Sequence, residues 1–90
     1  MQLINNNQKE NILKTTNEIN LKIETLVKEI DGMKELMEKL CDEENINVYY
    51  TISIKERLIE AKTNLQMSQI RIEEFQEEAN SLKLSKSGFY

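Results

Sequence analysis

Residues 12–41 read ILKTTNEINLKIETLVKEIDGMKELMEKLC, and their apolar positions recur with a seven-residue period. In heptad letters, Ile12, Ile19, Leu26, Met33 and Leu40 fall at d, and Thr16, Ile23, Ile30 and Met37 at a. Thr16 is the one polar residue in these two rows, and so regular a stripe argues a long amphipathic helix. β-Branched residues at a with Leu, Ile and Met at d suit a coiled-coil-like seam. Leu13, Val27 and Cys41 at e and Leu36 at g widen the stripe beyond what one partner helix covers. A bundle with more than one neighbour is the expectation. Asn7 and Glu10 have the spacing of an N-terminal capping box. Gly32 falls at the outer c position, where it costs about 1 kcal/mol relative to alanine and permits a slight bend.

A second periodic run covers residues 54–84. Leu58, Leu65, Ile72 and Ala79 take a; Ile54, Ala61, Ser68, Phe75 and Leu82 take d. Ala61 and Ser68 are small enough to let a facing helix come close. Between the runs, Ile46, Val48, Tyr50, Ile52 and Ile54 alternate with Asn47, Tyr49, Thr51 and Ser53, as a half-buried strand does. Three architectures fit this stretch. The first is a helical hairpin with an extended connector over 43–53, in which Ser53 and Glu56 form a capping box that starts the second helix. The three carboxylates of Asp42, Glu43 and Glu44 oppose the helix dipole and weaken the end of the first. Ile46, Val48, Tyr50 and Ile52 then fold over the bundle end as an apolar cap. The second is one continuous coiled-coil helix, because the heptad frame carries from Met37 to Leu58 without a phase shift. The third is a true strand, which requires an edge on a partner or on a second copy.

Composition narrows the classes. The chain has 90 residues, no proline and only two glycines, Gly32 and Gly88, too few turn formers for an all-β fold. Net charge is −4, and it is uneven. Residues 1–45 carry six lysines against ten acidic residues; residues 46–90 carry six basic and six acidic residues. Neither half offers the basic patch that phosphate backbones or anionic membranes attract, which argues against nucleic acid as partner. No apolar run reaches the ~20 residues of a membrane span. The start, MQLINNNQKEN, lacks the basic and apolar blocks of a signal peptide, and the single Cys41 has no mate for an internal disulfide. A cytoplasmic location is the expectation.

Catalytic chemistry finds no foothold. There is no histidine, hence neither the commonest general base nor the commonest metal ligand. Cys41 has no histidine to take its proton, and its place at the stripe edge suits packing. Asp42, Glu43 and Glu44 lack the alternating oxygen ligands and central glycine of a calcium loop. Glu73, Glu74, Glu77 and Glu78 read as a solvated outer face, with acidic docking as the other reading. No phosphate loop or nucleophile motif occurs. Neither enzyme activity, cofactor nor metal is expected. Tyr49 and Tyr50 stand in the connector, where at least one should be exposed, and exposed aromatics anchor interfaces.

Residues 48–79 resemble a ribbon-helix-helix repressor. VYYTISI matches the ribbon, KERLIEAKTN the first helix, and MSQIRIEEFQEEA the second, with Ser68 as its cap. The resemblance implies a DNA-binding dimer whose ribbon presents Asn47, Tyr49, Thr51 and Ser53 to the major groove. The match covers a third of the chain and lacks arginine and lysine in the ribbon.

The leading expectation is all-α: helices over about 8–42 and 54–84 in a single hairpin domain, with flexible ends at 1–7 and 85–90. That hairpin oligomerises into a coiled-coil-like four-helix bundle, with itself as a dimer or tetramer or with helical partner subunits. Ile19, Ile23, Leu26, Ile30, Met33, Met37, Leu58, Leu65, Ile72 and Phe75 are expected to carry the assembly, and Tyr49 and Tyr50 to touch partners. The role is a non-catalytic adaptor or assembly subunit. A DNA-binding regulator, or a chaperone-like cofactor gripping clients with its helix tips, stands as the alternative.

Overall fold

The computed structural model describes residues 5–81, which form two α-helices, α1 (Asn6–Glu44) and α2 (Tyr49–Ser81), folded back as a hairpin. Among the described residues there is no strand. Leu82, Lys83 and Leu84, expected to finish the second helix, and the tail 85–90 lie outside the described residues.

Side-chain hydrogen bonds set the helix limits. At the start of α1, the Gln8 amide donates to Asn5 Oδ1 (2.8 Å) while the Asn5 amide donates to Gln8 Oε1 (2.9 Å). This is a reciprocal capping box, two residues earlier than the expected Asn7–Glu10 pair. Three consecutive asparagines make the choice ambiguous in sequence, and Gln8 decides it by reaching back to Asn5. At the other end α1 runs through the acidic cluster to Glu44. It stops at Asn45, whose φ of 52° is left-handed. The Ile46 amide then donates to the Cys41 carbonyl at 3.0 Å. That six-to-one bond with a left-handed residue before it is a Schellman stop, and asparagine is the usual substitute for glycine there. The single helix running continuously from the first periodic run into the second is therefore not formed.

The second helix starts at Tyr49, not at Ser53, so the connector is shorter than the expected 43–53. Thr51 replaces the Ser53–Glu56 box. Its buried hydroxyl accepts from the Val48 amide (3.2 Å) and donates to the Val48 carbonyl (2.8 Å), closing the first turn. Helical backbone supplies acceptors to the amides from Ile52 onward, beginning with the Val48 carbonyl at 3.2 Å, which an extended connector without a partner strand does not. The period-two alternation is then turned into 100° steps. Val48, Tyr50 and Ile52 end up exposed instead of folding over as a cap; only Ile46 is half-buried. The ribbon that the repressor resemblance implies is likewise helical, and α2 passes Ser68 without a break.

Contacts divide the chain into two compact units, one formed by α1 up to Lys22 with α2 from Ser68, the other by Ile23–Met67. In both units α1 presents the same two rows to α2. The rows shielded from solvent are a (Thr16, Ile23, Ile30, Met37) and e (Leu13, Asn20, Val27, Lys34, Cys41). On α2 they are again a (Thr51, Leu58, Leu65, Ile72, Ala79) and e (Lys55, Lys62, Gln69, Gln76). Apolar residues fill most a positions. The e row of α2 consists of long polar side chains whose aliphatic stems can share the seam, with the heads of Lys62 and Gln76 reaching across to α1. In the Ile23–Met67 unit, Lys62 Nζ meets Asp31 Oδ1 at 2.9 Å. In the other, Gln76 Nε2 donates to Thr16 Oγ1 and Asn17 Oδ1, both at 2.8 Å, while Thr16 donates to the Ile12 carbonyl at 2.6 Å. Asn20 Oδ1 is buried there without a hydrogen-bond partner among the described residues. Among the described residues only Ile23, Ile30 and Ala79 are buried apolar side chains, and no large one is completely so.

Candidate protein interaction face

The rows facing away from the seam carry apolar residues that the hairpin leaves exposed. The expected seam was a with d; the observed seam is a with e. Four d residues of α1, namely Ile19, Leu26, Met33 and Leu40, remain 44–45% exposed, while Ile23 and Ile30 in the a row are 6% exposed. On α2 the d residues Ile54 and Phe75 are exposed to a similar degree, and Ala61 and Ser68 are exposed as well. Of the residues expected to carry assembly, Ile23, Ile30, Met37, Leu58, Leu65 and Ile72 thus line the hairpin's own seam. Ile19, Leu26, Met33 and Phe75 stand outside it.

In the Ile23–Met67 unit the outward rows of the two helices meet on one side. Met33, Leu36, Met37 and Leu40 from α1 and Ile54 and Leu58 from α2 line an open groove of about 370 Å³ with almost no polar surface. Met37 and Leu58 belong to the seam and to the groove at once, so the groove continues the intramolecular core outward. Leu36, at g, is 67% exposed beside it. Gly32 lies one helical turn before Leu36. A Cβ placed on Gly32 would meet nothing within 4 Å, so the hairpin itself has no steric need for glycine there. Four of the charged residues at the c and g positions beside the groove form two pairs within the chain, Lys39 with Glu43 at 3.9 Å and Arg57 with Glu60 at 3.2 Å.

Two further features lie away from the groove. Tyr49 and Tyr50 occupy the first turn of α2, each 74% exposed, with ring centroids 5.5 Å apart at 74° in edge-to-face contact. Both expected contact residues are therefore presented together, as a small aromatic tip. Glu74, Glu77, Glu78 and Ser81 surround a polar depression at the far end of α2.

Of the groove residues, Met33, Met37 and Leu58 are among those expected to carry assembly, whereas Leu36, Leu40 and Ile54 are read in the sequence only as stripe positions, and the placement of the groove is missed. The signal that could have located it is the chemistry of the e row: Lys55, Lys62, Gln69 and Gln76 have stems long enough to share a seam, leaving d free. Among the described residues no helix is long and apolar enough to cross a membrane, and no group of three or more histidine, cysteine or acidic residues is arranged to hold a metal ion. Comparison with protein-family models, with curated proteins and with solved structures finds no match to this chain.

Proposed function

We propose that this chain is a non-catalytic protein–protein interaction module, an adaptor or assembly subunit whose hairpin supplies two helices of a four-helix bundle. The carrying observation is the exposure of the d rows at heptad spacing while the inner seam uses e. A helix in a four-helix bundle has two neighbours, one on each side of its a/d edge. In this hairpin the a/e side is taken and the d/g side is open. Apolar rows of this regularity mark an interface, and their spacing suits a helical partner with the same repeat. The small residues Ala61 and Ser68 in the open row of α2 allow that partner to approach.

Absolute mass by light scattering on a size-exclusion column, with helicity measured by circular dichroism over a hundredfold dilution, tests this reading. A stable dimer or tetramer means that the chain completes its own bundle. A weakly helical monomer means that another protein completes it. A fully helical monomer that unfolds cooperatively at the lowest concentration would sink the reading, because the hairpin would then need no partner.

The paired exposure of Tyr49 and Tyr50 favours a second reading, a chaperone-like cofactor that grips clients at its helix tip. Tyrosines are frequent interface anchors. Tyr49→Ala with Tyr50→Ala should weaken client binding on the order of tenfold or more, measured by titration calorimetry. Unchanged affinity would remove the tip from the interface.

A further inference from the structure

The groove in the Ile23–Met67 unit is suited to a particular occupant. Its lining, Met33, Leu36, Met37, Leu40, Ile54 and Leu58, contains no ionisable side chain. Its rim is electrically balanced. Lys39–Glu43 and Arg57–Glu60 neutralise each other within the chain, leaving Glu29 as the remaining charged residue at the c and g positions beside the groove. This balance is local. Residues 23–67 as a whole carry six basic and ten acidic side chains, and the excess acid lies mainly on outer positions such as Glu24, Glu35, Glu38 and Asp42. A basic partner would be drawn to those positions and would gain little at the groove. An apolar face whose rim keeps only Glu29 as an excess charge meets a copy of itself with little repulsion.

Two other observations describe how a copy would sit. Leu36 projects from the face more than any other leucine described, and the groove beside it is lined by long, adaptable methionines and by aliphatic side chains. Gly32, one turn away, removes the side chain that would hold a second helix off Leu36, although nothing inside the hairpin requires its absence. Glycine in the middle of a helix is unfavourable there, and close approach from outside is a physical use that it permits.

We infer that the hairpin forms a two-fold dimer through this groove, Leu36 of each copy entering the groove of the other, with the helices closest at Gly32. This rests on the interaction-module reading and names its partner as a second copy of the chain. The groove is continuous with the intramolecular seam through Met37 and Leu58, so the dimer extends one core instead of creating a second. An isologous contact of this kind closes on itself and does not propagate.

The test uses two variants of the full chain. Gly32→Leu adds a side chain where the single hairpin has open space, so helicity should be retained or raised. The dimer dissociation constant from light scattering over a dilution series should rise on the order of a hundredfold, because the added volume lies between the copies. Leu36→Cys in a Cys41→Ser background places two thiols near the dyad, and mild oxidation should give a disulfide-linked dimer in high yield at low protein concentration. A dimer that Gly32→Leu leaves intact and Leu36→Cys does not cross-link would overturn this interface, while leaving the chain an assembling module by another face. A wild-type chain that stays monomeric and weakly helical at every concentration would overturn the second copy as occupant and leave the module reading with a foreign partner. A monomer that is fully helical on its own would overturn both.

Discussion

Ile30→Asp is expected to abolish the folded hairpin. Ile30 is 6% exposed in the a row of α1, one of three apolar side chains among those described that are buried rather than half-buried. The substitution removes an aliphatic side chain from the seam, which by itself costs about 2–5 kcal/mol. It also places a carboxylate in the apolar a row, where Lys34 one turn on and Lys62, already paired with Asp31, offset only part of a desolvation penalty of several kcal/mol. A small domain is stable by only about 5–15 kcal/mol in total, and a chain with so few buried side chains belongs at the lower end. Loss of most of the helical circular dichroism at neutral pH is the outcome to look for. Leu21→Asp is the control. Leu21 sits at f, 64% exposed and away from the seam, and a substitution there should change stability by no more than about 0.5 kcal/mol. If Ile30→Asp kept wild-type helicity and urea midpoint, the a row would not be the seam.

The contrast between those two leucine and isoleucine positions marks what could be read from sequence. The a row was legible because its apolar residues recur without interruption on both helices, and burial follows it through Ile23, Ile30, Leu58, Leu65 and Ile72. The second row of the seam was not. Heptad spacing shows that a, d, e and g all carry apolar residues on α1, but not which edge turns toward the chain's own second helix. That choice falls to packing: Lys62 can reach Asp31 and Gln76 can reach Thr16 and Asn17 only with e turned inward. The turn was illegible for a related reason. The alternation from Ile46 to Ile54 describes a strand only where another strand is present to pair with it, and the nearer source of hydrogen bonds was the helix itself, begun by Thr51. Asn45 was the readable signal there, since asparagine after a helical run is a frequent left-handed stop. The Tyr49 and Tyr50 pair was expected to show at least one exposed ring; both are exposed in the first turn of α2.

Leu36→Glu combined with Leu40→Glu should separate the open face from the seam whatever the partner proves to be. Both leucines are on the d/g side, 67% and 44% exposed, and neither belongs to the a and e rows that shield the seam. The hairpin's own contacts at Ile23, Ile30 and Leu58 are left in place, and glutamate has good helix propensity. What changes is the face. Two carboxylates replace apolar groups in a contact that must exclude water, and each should cost about 2 kcal/mol or more of association free energy. Together they should raise the dissociation constant by roughly three orders of magnitude. The paired measurement is mass against concentration with helicity on the same samples. A four-helix bundle deprived of this face should give a monomer whose helicity no longer rises with concentration, because the residual stability is that of an incomplete core. A double variant with the mass and helicity of the wild type would mean that the d row is ordinary solvated surface. The same substitutions read on a complex with a foreign partner would give the same loss, since the face, and not the identity of what covers it, is what the two glutamates alter. Ile30→Asp therefore asks whether the hairpin holds together, and the double glutamate asks whether holding together is enough.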